Sequence, residues 1–486
     1  MNSFGDLLRI FIEKSGYTNY KIAQKASVNR TTLQKILSGE RKPSDVTYNK
    51  ILPFLKLTPL EKAQLSEAFE ISQIGNDIFE RRTYVRKLLE KIPDISFSPS
   101  MEQHSGDTDI TLPSSIHDTA LFYGTFAIHH LLSQLIQKES TKTSPCIRIN
   151  APANSSLFSG LISDNMDLLC SHCASIWHLT CFLRSEDQTG SPIFNLQVLE
   201  NILPFLPLTK LNYRVHYYYK NDQNEADYRQ TAFPYYILFS DLAVLLSSDY
   251  SIALCLSSPE MIIHMENHFN AALLNSMSFT TTFQDPQDVL LHLMEMDLND
   301  LPFYTLEFQP CLTTYLTDKI IQSQIRPEVE NAESLSKMVL SRAQQLRKLT
   351  SHVSIFSKSG LIDFATTGRI RDLPKEYTYP FSVRNRILIL ESLYQDIISN
   401  QHTYCMINPL VFPISQNLVC LFHEDASLDF GYFSGNNGCY NCLRIKERTL
   451  IETFDDFFQY LQSSSLICSK EETLTAIRNC LEQLKA

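Results

Sequence analysis

Six polar or charged side chains crowd into the short segment 29–35, and two cations follow at Arg41 and Lys42. Guanidinium, ammonium, hydroxyl and amide groups are the donors with which proteins bind phosphate oxygens and the edges of bases. Leu33 and Ile36 interrupt them at helical spacing, so one face of a helix would be apolar and the other polar. The segment therefore has the residue types needed to contact nucleic acid from one face of a helix.

A preceding helix would hold this segment in place. We predict that helix over 18–25 and a turn at 27–29 in which Val28 is the apolar plug. Asn29 can cap the following helix through its side chain, and Gly39 can end it in the left-handed conformation. Two helices joined by a turn of this length form a helix-turn-helix.

At these residues the chain resembles the lambda repressor/Cro-like (XRE) helix-turn-helix family, over roughly its first seventy residues. The small residue of the family pattern is Ala23, the turn plug is Val28, and the anchor of the recognition helix is Leu33. Ser27 stands where the family usually has glycine, and Asn19 stands where it commonly has glutamine. The resemblance implies a five-helix domain whose second motif helix enters the major groove of DNA.

The resemblance and the side-chain chemistry together predict DNA contacts at nine residues. Thr31, Thr32 and Gln34 would approach base edges, and Arg30 would reach a guanine or a phosphate. The other five would position the DNA backbone: Asn19, Tyr20, Lys35, Arg41 and Lys42. A plain helical hairpin, or a helix-turn-helix that contacts only protein, is the alternative left open.

Flanking signals complete a helical domain over residues 1–75. Thr58 and Glu61 form a capping-box pattern, with Pro59 at the first helical position. Pro53 should interrupt the fourth helix, because proline has no amide hydrogen to donate. Residues 76–115 form the predicted connection, a helix followed by a linker at 97–115 that is rich in Ser, Pro, Asp and Thr.

Charge is distributed unevenly along the chain. The 486 residues carry a formal net charge of −11, yet residues 1–92 contain sixteen Lys and Arg against ten Asp and Glu. The N-terminal part therefore carries a surplus of six positive charges, and the remainder an excess of seventeen negative charges. A basic end suits DNA phosphates, and the acidic remainder is interpreted as a solvated surface.

The rest of the chain alternates helical and strand patterns, which is typical of an α/β body. We predict one α/β regulatory domain at 116–275 and a second at 276–486, which in one alternative is a divergent repeat of the first. Strands are predicted at 146–150, 213–219, 235–239, 243–246, 404–407 and 418–422, a strand-turn-strand at 355–370, and helices at 120–137, 330–349 and after Ser469. The predicted fold class is a multidomain chain, with an all-α helix-turn-helix domain followed by a large α/β or α+β body.

Several groups in the body could carry metal or catalytic chemistry. The CxxC pairs at 170–173 and 439–442 could bind zinc, and His264 and His268 lie one helical turn apart. Buried free thiols and a satisfied pair on a helix surface are the favoured interpretations. The chain has no Walker loop, no GxGxxG after a strand and no GxSxG. We therefore predict no catalytic residue, no metal and no cofactor.

The segment 233–269 resembles the phospholipase D-like fold. Pro234 and Tyr236 stand where that family's histidine and lysine would fall relative to Asp241, so its nucleophile and phosphate clamp are missing. The resemblance implies a body kept for binding or dimerisation.

The sequence thus predicts a sequence-specific transcriptional regulator that is not an enzyme. One helix-turn-helix reads a half-site, so we expect a homodimer on a palindromic double-stranded operator, with a small-molecule or protein effector left open. We expect a cytoplasmic protein with reduced cysteines and no membrane span. Two alternatives stay open: a DNA-targeted enzyme with an unrecognised active site in the body, and an adaptor or antitoxin-like partner of another protein.

Overall fold

The computed structural model divides the chain into two compact units, Met1–Tyr84 and Val85–Ala486. The structure describes residues 3–91, 119–172, 174–184, 191–206, 211–219, 231–283, 288, 291–292, 302–329, 332–349, 351–373, 375–423, 427–434 and 439–486. Residues 282–283, 432–434 and 439–441 are described in backbone only. The predicted linker at 97–115 lies outside the described residues.

The first unit is helical. Its helices are α1 (Phe4–Lys14), α2 (Asn19–Lys25), α3 (Arg30–Leu37), α4 (Asp45–Ile51), α5 (Pro59–Ile74) and α6 (Asn76–Lys91), the last of which runs past Tyr84. Thr58 caps α5 in a capping box with Glu61, as predicted. The fourth helix ends before Pro53, in a short 3-10 turn over Leu52–Phe54. Helix caps and proline, which act on neighbouring residues, therefore set where these helices begin and end.

One apolar core joins α1 to α5, and a close backbone approach completes it. The helix α1 buries Leu8 and Ile12 against residues of α2, α3 and α5. A side chain at Gly5 would place its Cβ 2.8 Å from the carbonyl oxygens of Ile36 and Leu37 at the end of α3. Glycine is therefore required on this face of α1, because a larger residue would push α3 away.

The second unit contains two mixed sheets. The strands of the first sheet are β1 (Thr119–Tyr123), β2 (Cys146–Asn150), β3 (Ser175–Phe182), β4 (Asn212–Tyr219), β5 (Tyr235–Leu238), β6 (Ala243–Leu246), β7 (Ile252–Leu256) and β8 (Met277–Ser278). The helices of this half are α7 (Thr125–Ser140), α8 (Ser156–Asp164), α9 (Met166–Ser171), α10 (Phe194–Ile202) and α11 (Pro259–Leu274). The strand order is β1-β7-β6-β5-β2-β3-β4-β8, in which β2, β3 and β4 are parallel.

The second sheet is formed by the rest of the chain. Its strands are β9 (Thr280–Phe283), β10 (Phe303–Glu307), β11 (His352–Phe356), β12 (Thr403–Met406), β13 (Leu418–His423), β14 (Ser427–Ser434) and β15 (Cys439–Ile445). Its helices are α12 (Asp318–Ile321), α13 (Ala332–Lys348), α14 (Lys358–Thr367), α15 (Val383–Ser399), α16 (Arg448–Leu461) and α17 (Lys470–Lys485), with a 3-10 turn at Leu312–Tyr315. The strand order is β12-β11-β10-β13-β14-β15-β9, and β10, β11 and β12 are parallel.

The two sheets share one topology. In each, the first strand in sequence lies at an edge beside the seventh, and the next three strands run parallel to one another. The first sheet has an eighth strand, β8, which pairs with β4 at the opposite edge. The remaining three strands are antiparallel neighbours that return toward the first. The amphipathic helices α11 and α16 follow the seventh strand of each set. The same seven-strand plan is therefore used twice along the chain.

Two predicted elements of the body were wrong. The helix predicted over 120–137 is split at Gly124, which has φ 91°, so strand β1 precedes helix α7. The strand-turn-strand predicted over 355–370 is strand β11 followed by helix α14. In the first place, pairing of β1 with the distant strand β7 overrides the helical periodicity. In the second, the Ser357 side chain accepts from the Gly360 amide and caps a helix where a turn was predicted. None of the described helices is long and apolar enough to cross a membrane.

A buried imidazole links the strands of the first sheet. His178, on β3, is only 1% exposed, and its Nδ1 and Nε2 lie 2.8 Å from the Tyr213 hydroxyl and 3.0 Å from the Ala151 carbonyl oxygen. These partners suit a neutral ring that accepts from Tyr213 and donates to Ala151. Burial lowers the pKa of His178 from 6.5 to about 4.

Acid should therefore destabilise this sheet through His178. The unfolded chain binds a proton near pH 6.5 and the folded chain only near pH 4, so the free energy of unfolding falls as the pH drops through that window. The loss is ~1.4 kcal/mol per pH unit for one such group. Urea unfolding at pH 7 and pH 5 should show a pH dependence about 2 kcal/mol smaller in His178→Gln than in the wild type. The exposed His172→Gln is the control, and equal pH dependence in all three proteins would disprove the assignment.

Candidate nucleic-acid interface

The helices α2 and α3 are held by side-chain caps and by a tight turn. The Thr18 hydroxyl accepts from the Lys21 amide at 3.3 Å, and the Asn29 side-chain oxygen accepts from the Thr31 amide at 2.8 Å. Between the helices, the Val28 amide donates to the Ala23 carbonyl oxygen at 2.9 Å. These bonds satisfy backbone groups at the helix ends and so define where α3 begins.

Burial separates the two faces of α3. Leu33, Ile36 and Leu37 are between 0 and 6% exposed and belong to the core of the first unit. Among the residues predicted to contact DNA, Thr32 is half-buried. The other eight are exposed: Asn19, Tyr20, Arg30, Thr31, Gln34, Lys35, Arg41 and Lys42. The polar side of the helix is therefore available for contact, because the core uses only the apolar side.

The basic segment after α3 is tied to α5. The Lys42 ammonium donates to the Gln73 carbonyl oxygen at 3.1 Å, and the Gln73 side-chain amide donates to the Pro43 carbonyl oxygen at 2.8 Å. The Arg41 amide donates to the Lys35 carbonyl oxygen at 3.1 Å, which continues the backbone bonding past Gly39. Lys42 therefore has an intramolecular partner that its sequence position did not suggest, whereas Arg41 extends from a fixed backbone.

Sequence reasoning missed a cluster of cations around Tyr17. The ammonium groups of Lys21, Lys25 and Lys56 lie 5.7, 4.7 and 5.4 Å from the centre of the Tyr17 ring. A hydrogen bond from Lys25, followed by the charges of Lys25 and Lys56, lowers the pKa of the Tyr17 phenol. Tyr17 lies two positions before α2, and Lys21 and Lys25 follow it at i+4 and i+8, a spacing that was visible in the sequence. The cluster adds positive charge beside α2.

Ser27 has a left-handed backbone, with φ 53°, at the position where the resembled family usually has glycine. Serine is strained in this region, whereas glycine is not. We expect Ser27→Gly to stabilise the first unit by about 0.5–1 kcal/mol, because the exposed side chain contributes little packing. Thermal unfolding of the full chain should show a higher midpoint for its helical transition. An unchanged or lower midpoint would contradict this prediction.

In the body, residues at or beside the predicted His pair and CxxC pairs form contacts with other side chains or are buried. Glu266 accepts from Arg148 at 2.9 Å, and His268 lies 3.3 Å from the Tyr236 hydroxyl. Cys170 donates to the Met166 sulfur at 3.7 Å, and Cys442 is buried. Cys173 lies outside the described residues, as does the side chain of Cys439. Among the described residues, no group of three or more His, Cys, Asp or Glu could hold a metal ion.

The phospholipase D-like positions of the first sheet hold ordinary structural contacts. Asp241 accepts from Lys138 and Lys142, each at 3.0 Å, and thereby joins the β5–β6 turn to the end of α7. Pro234 has no side-chain nucleophile, and the Tyr236 hydroxyl lies 3.3 Å from Nδ1 of His268. The contacts of Asp241 and Tyr236 join the strands of this sheet to α7 and α11.

A group of buried ionisable residues beneath the second sheet also escaped sequence reasoning. Glu307, at the end of β10, and Arg342, on α13, are both nearly inaccessible. Burial raises the pKa of Glu307 and raises that of Asp372 to about 6. Burial also raises the pKa of the Cys311 thiol nearby, so this sulfur is a poor nucleophile.

Comparisons with known proteins leave the family open. No protein-family model matches the chain, and no curated protein matches it. Among solved structures, the chain is similar to TrmBL2, an archaeal chromatin protein with a novel mode of DNA binding, at 10% identity and a TM-score of 0.24, over 57% of this chain and 94% of that one. It is also similar to the polyphosphate kinase of Porphyromonas gingivalis, at 8% identity and a TM-score of 0.21, over 76% of this chain and 56% of that one. At these scores, neither neighbour assigns a fold or a function to the chain.

Proposed function

We propose that this protein is a sequence-specific, double-stranded-DNA-binding transcriptional regulator of the lambda repressor/Cro-like (XRE) type. The observation that carries the proposal is the division of α3 into a buried apolar face and an exposed polar face. Arg30, Thr31, Gln34 and Lys35 contribute nothing to the core, yet they lie together on one capped helix. A helix with this arrangement fits the major groove of DNA.

The side chains on that face have distinct roles in the proposal. Thr31, Thr32 and Gln34 read base edges, and Arg30 binds a guanine or a phosphate. Asn19, Tyr20, Lys35, Arg41 and Lys42 bind the backbone, and Lys42 must exchange its bond to Gln73 to do so. The lysines around Tyr17 would add to the general attraction for phosphates.

The body regulates this activity by binding and assembly, and it does not catalyse a reaction. The first seven strands of its eight-stranded sheet have the same order as the strands of its seven-stranded sheet, which supports a divergent repeat over 116–275 and 276–486. It would join two copies in a cytoplasmic homodimer on a palindromic operator, and it would receive a small-molecule or protein effector.

Selection from random duplex DNA with the full-length protein tests the proposal. We expect enrichment of a motif with two inverted half-sites, because each copy contributes one α3. The matched control is the Arg30→Ala/Gln34→Ala double variant, which keeps the core residues and should lose the motif. If wild type and double variant both enrich no sequence, DNA recognition through α3 is wrong.

A further inference from the structure

The outer strand of the first sheet has an unusual composition. Within the described residues, β1 pairs with β7 on one side only, so its other edge presents unpaired backbone groups. Leu121 and Tyr123 point to the same face of β1 and are 51% and 66% exposed. Phe126, at the start of α7, is 72% exposed. Exposed apolar side chains on an unpaired edge favour pairing with a further strand.

The repeated topology shows how incompletely this face is covered. In the second sheet, α16 buries six apolar residues: Leu450, Ile451, Phe454, Phe457, Phe458 and Leu461. In the first sheet, α11 occupies the same place in the strand plan and buries only Ile262 and Phe269. Leu121 is in register with Leu254, and Leu254 with Leu245, and these two leucines are half-buried. An apolar row thus runs outward from beneath α11 to the edge at Leu121.

The edge strand carries no charge that would repel the same strand of a second copy. The segment 119–126 contains no charged residue, so two copies would not repel each other. Natural edge strands are usually protected by lysine, proline or a bulge. The outer strand β9, which takes the same place in the second sheet, begins with three threonines.

We propose that β1 is the dimer interface, where it pairs antiparallel with β1 of a second copy about a two-fold axis at Leu121. Antiparallel pairing with an identical strand gives hydrogen-bond partners to the unpaired backbone groups of both copies. The two strands are then related by a two-fold axis, so the assembly closes as a dimer. In this register, Leu121 faces Leu121 of the other copy, and Thr119 faces Tyr123. The two sheets become continuous, and the row from Leu245 to Leu121 continues across the axis. The inference rests on the proposed function in one respect: this interface would form the dimer that a palindromic operator requires.

Sedimentation of the full-length protein across a range of concentrations tests the interface. We expect the wild type to have twice the 55.8 kDa chain mass. Leu121→Lys should weaken dimerisation at least about 100-fold, because two ammonium groups would meet at the axis and lose water. Leu388→Lys is the matched control, since this leucine is 44% exposed on α15 and should leave the mass unchanged. A wild type that is monomeric throughout, or a Leu121→Lys variant that stays dimeric, would overturn the proposal.

Cysteine crosslinking tests the register independently of stability. Leu121→Cys should form an intermolecular disulfide on mild oxidation, because the two Cα atoms would face each other within bonding range. Tyr123→Cys should not, since its copy would lie about 13 Å away along the strand. Equal crosslinking of both variants, or of neither, would exclude this register. If α3 fails to select DNA while these results hold, the proposed function is wrong and the interface stands.

Discussion

Replacing Gly360 by alanine should destabilise the second unit by about 3 kcal/mol or more, and much of the protein should be insoluble. A Cβ at this position would lie 1.7 Å from the Phe308 carbonyl oxygen and 2.3 Å from its carbonyl carbon. These are backbone atoms, so no side-chain rotation can relieve the overlap. The same carbonyl accepts from the Ser357 hydroxyl, which in turn caps α14 through the Gly360 amide, so displacement would also break the cap.

Gly160→Ala is the matched control for this prediction. Gly160 also lies within a helix, α8, but a Cβ there would be 3.7 Å from His129, which is ordinary contact. Alanine should stabilise that helix by about 0.5–1 kcal/mol. Soluble yield and urea unfolding of both variants give the measurement. A Gly360→Ala protein as stable as Gly160→Ala would show that the loop after β10 is not packed as described.

Gln34→Ala should relax the base preference at one or two positions of each half-site. The loss of discrimination should be about 10- to 100-fold, since one good bidentate base contact contributes about 1–3 kcal/mol. The side chain is exposed on α3, so its removal should leave the free energy of unfolding almost unchanged. Affinities for the selected operator and for its single-base variants give the measurement.

Arg41→Ala separates base reading from backbone binding. The variant should weaken binding to all duplexes alike and reduce the slope of log affinity against log salt by about one. Arg41 is exposed and lies outside the apolar core, so a folding defect would not mimic this result. Equal losses from Gln34→Ala and Arg41→Ala on operator and random DNA would refute the division of roles.

The limits of the first unit were predictable because its signals are local. The caps at Thr18, Asn29 and Thr58 bond to amides two or three residues away, and Pro53 ends a helix through its own missing hydrogen. The apolar period of α3 places Leu33 in the core and Gln34 outside it. Only part of the cation cluster at Tyr17 could have been predicted from the sequence, because Lys56 comes from a loop thirty-nine positions later.

Sequence alone was less informative about the body, where the decisive contacts are distant. The run at 120–137 has helical periodicity throughout, and pairing of β1 with β7, more than a hundred residues away, made its first part a strand. Gly360 could be seen in the sequence, but only the approach of the Phe308 carbonyl gives it a role. The shared order of the two sheets is likewise a property of pairing and leaves no matching residues.

By itself, then, the sequence determined the helices of the first unit, the polar composition of α3 and the basic charge around it. These depend on neighbours within a few turns, so composition and spacing carry them. The tertiary structure decided that Lys42 bonds to α5 and that β1 forms an apolar edge. Strand pairing and close packing join residues far apart in the chain, and no local pattern encodes the partner.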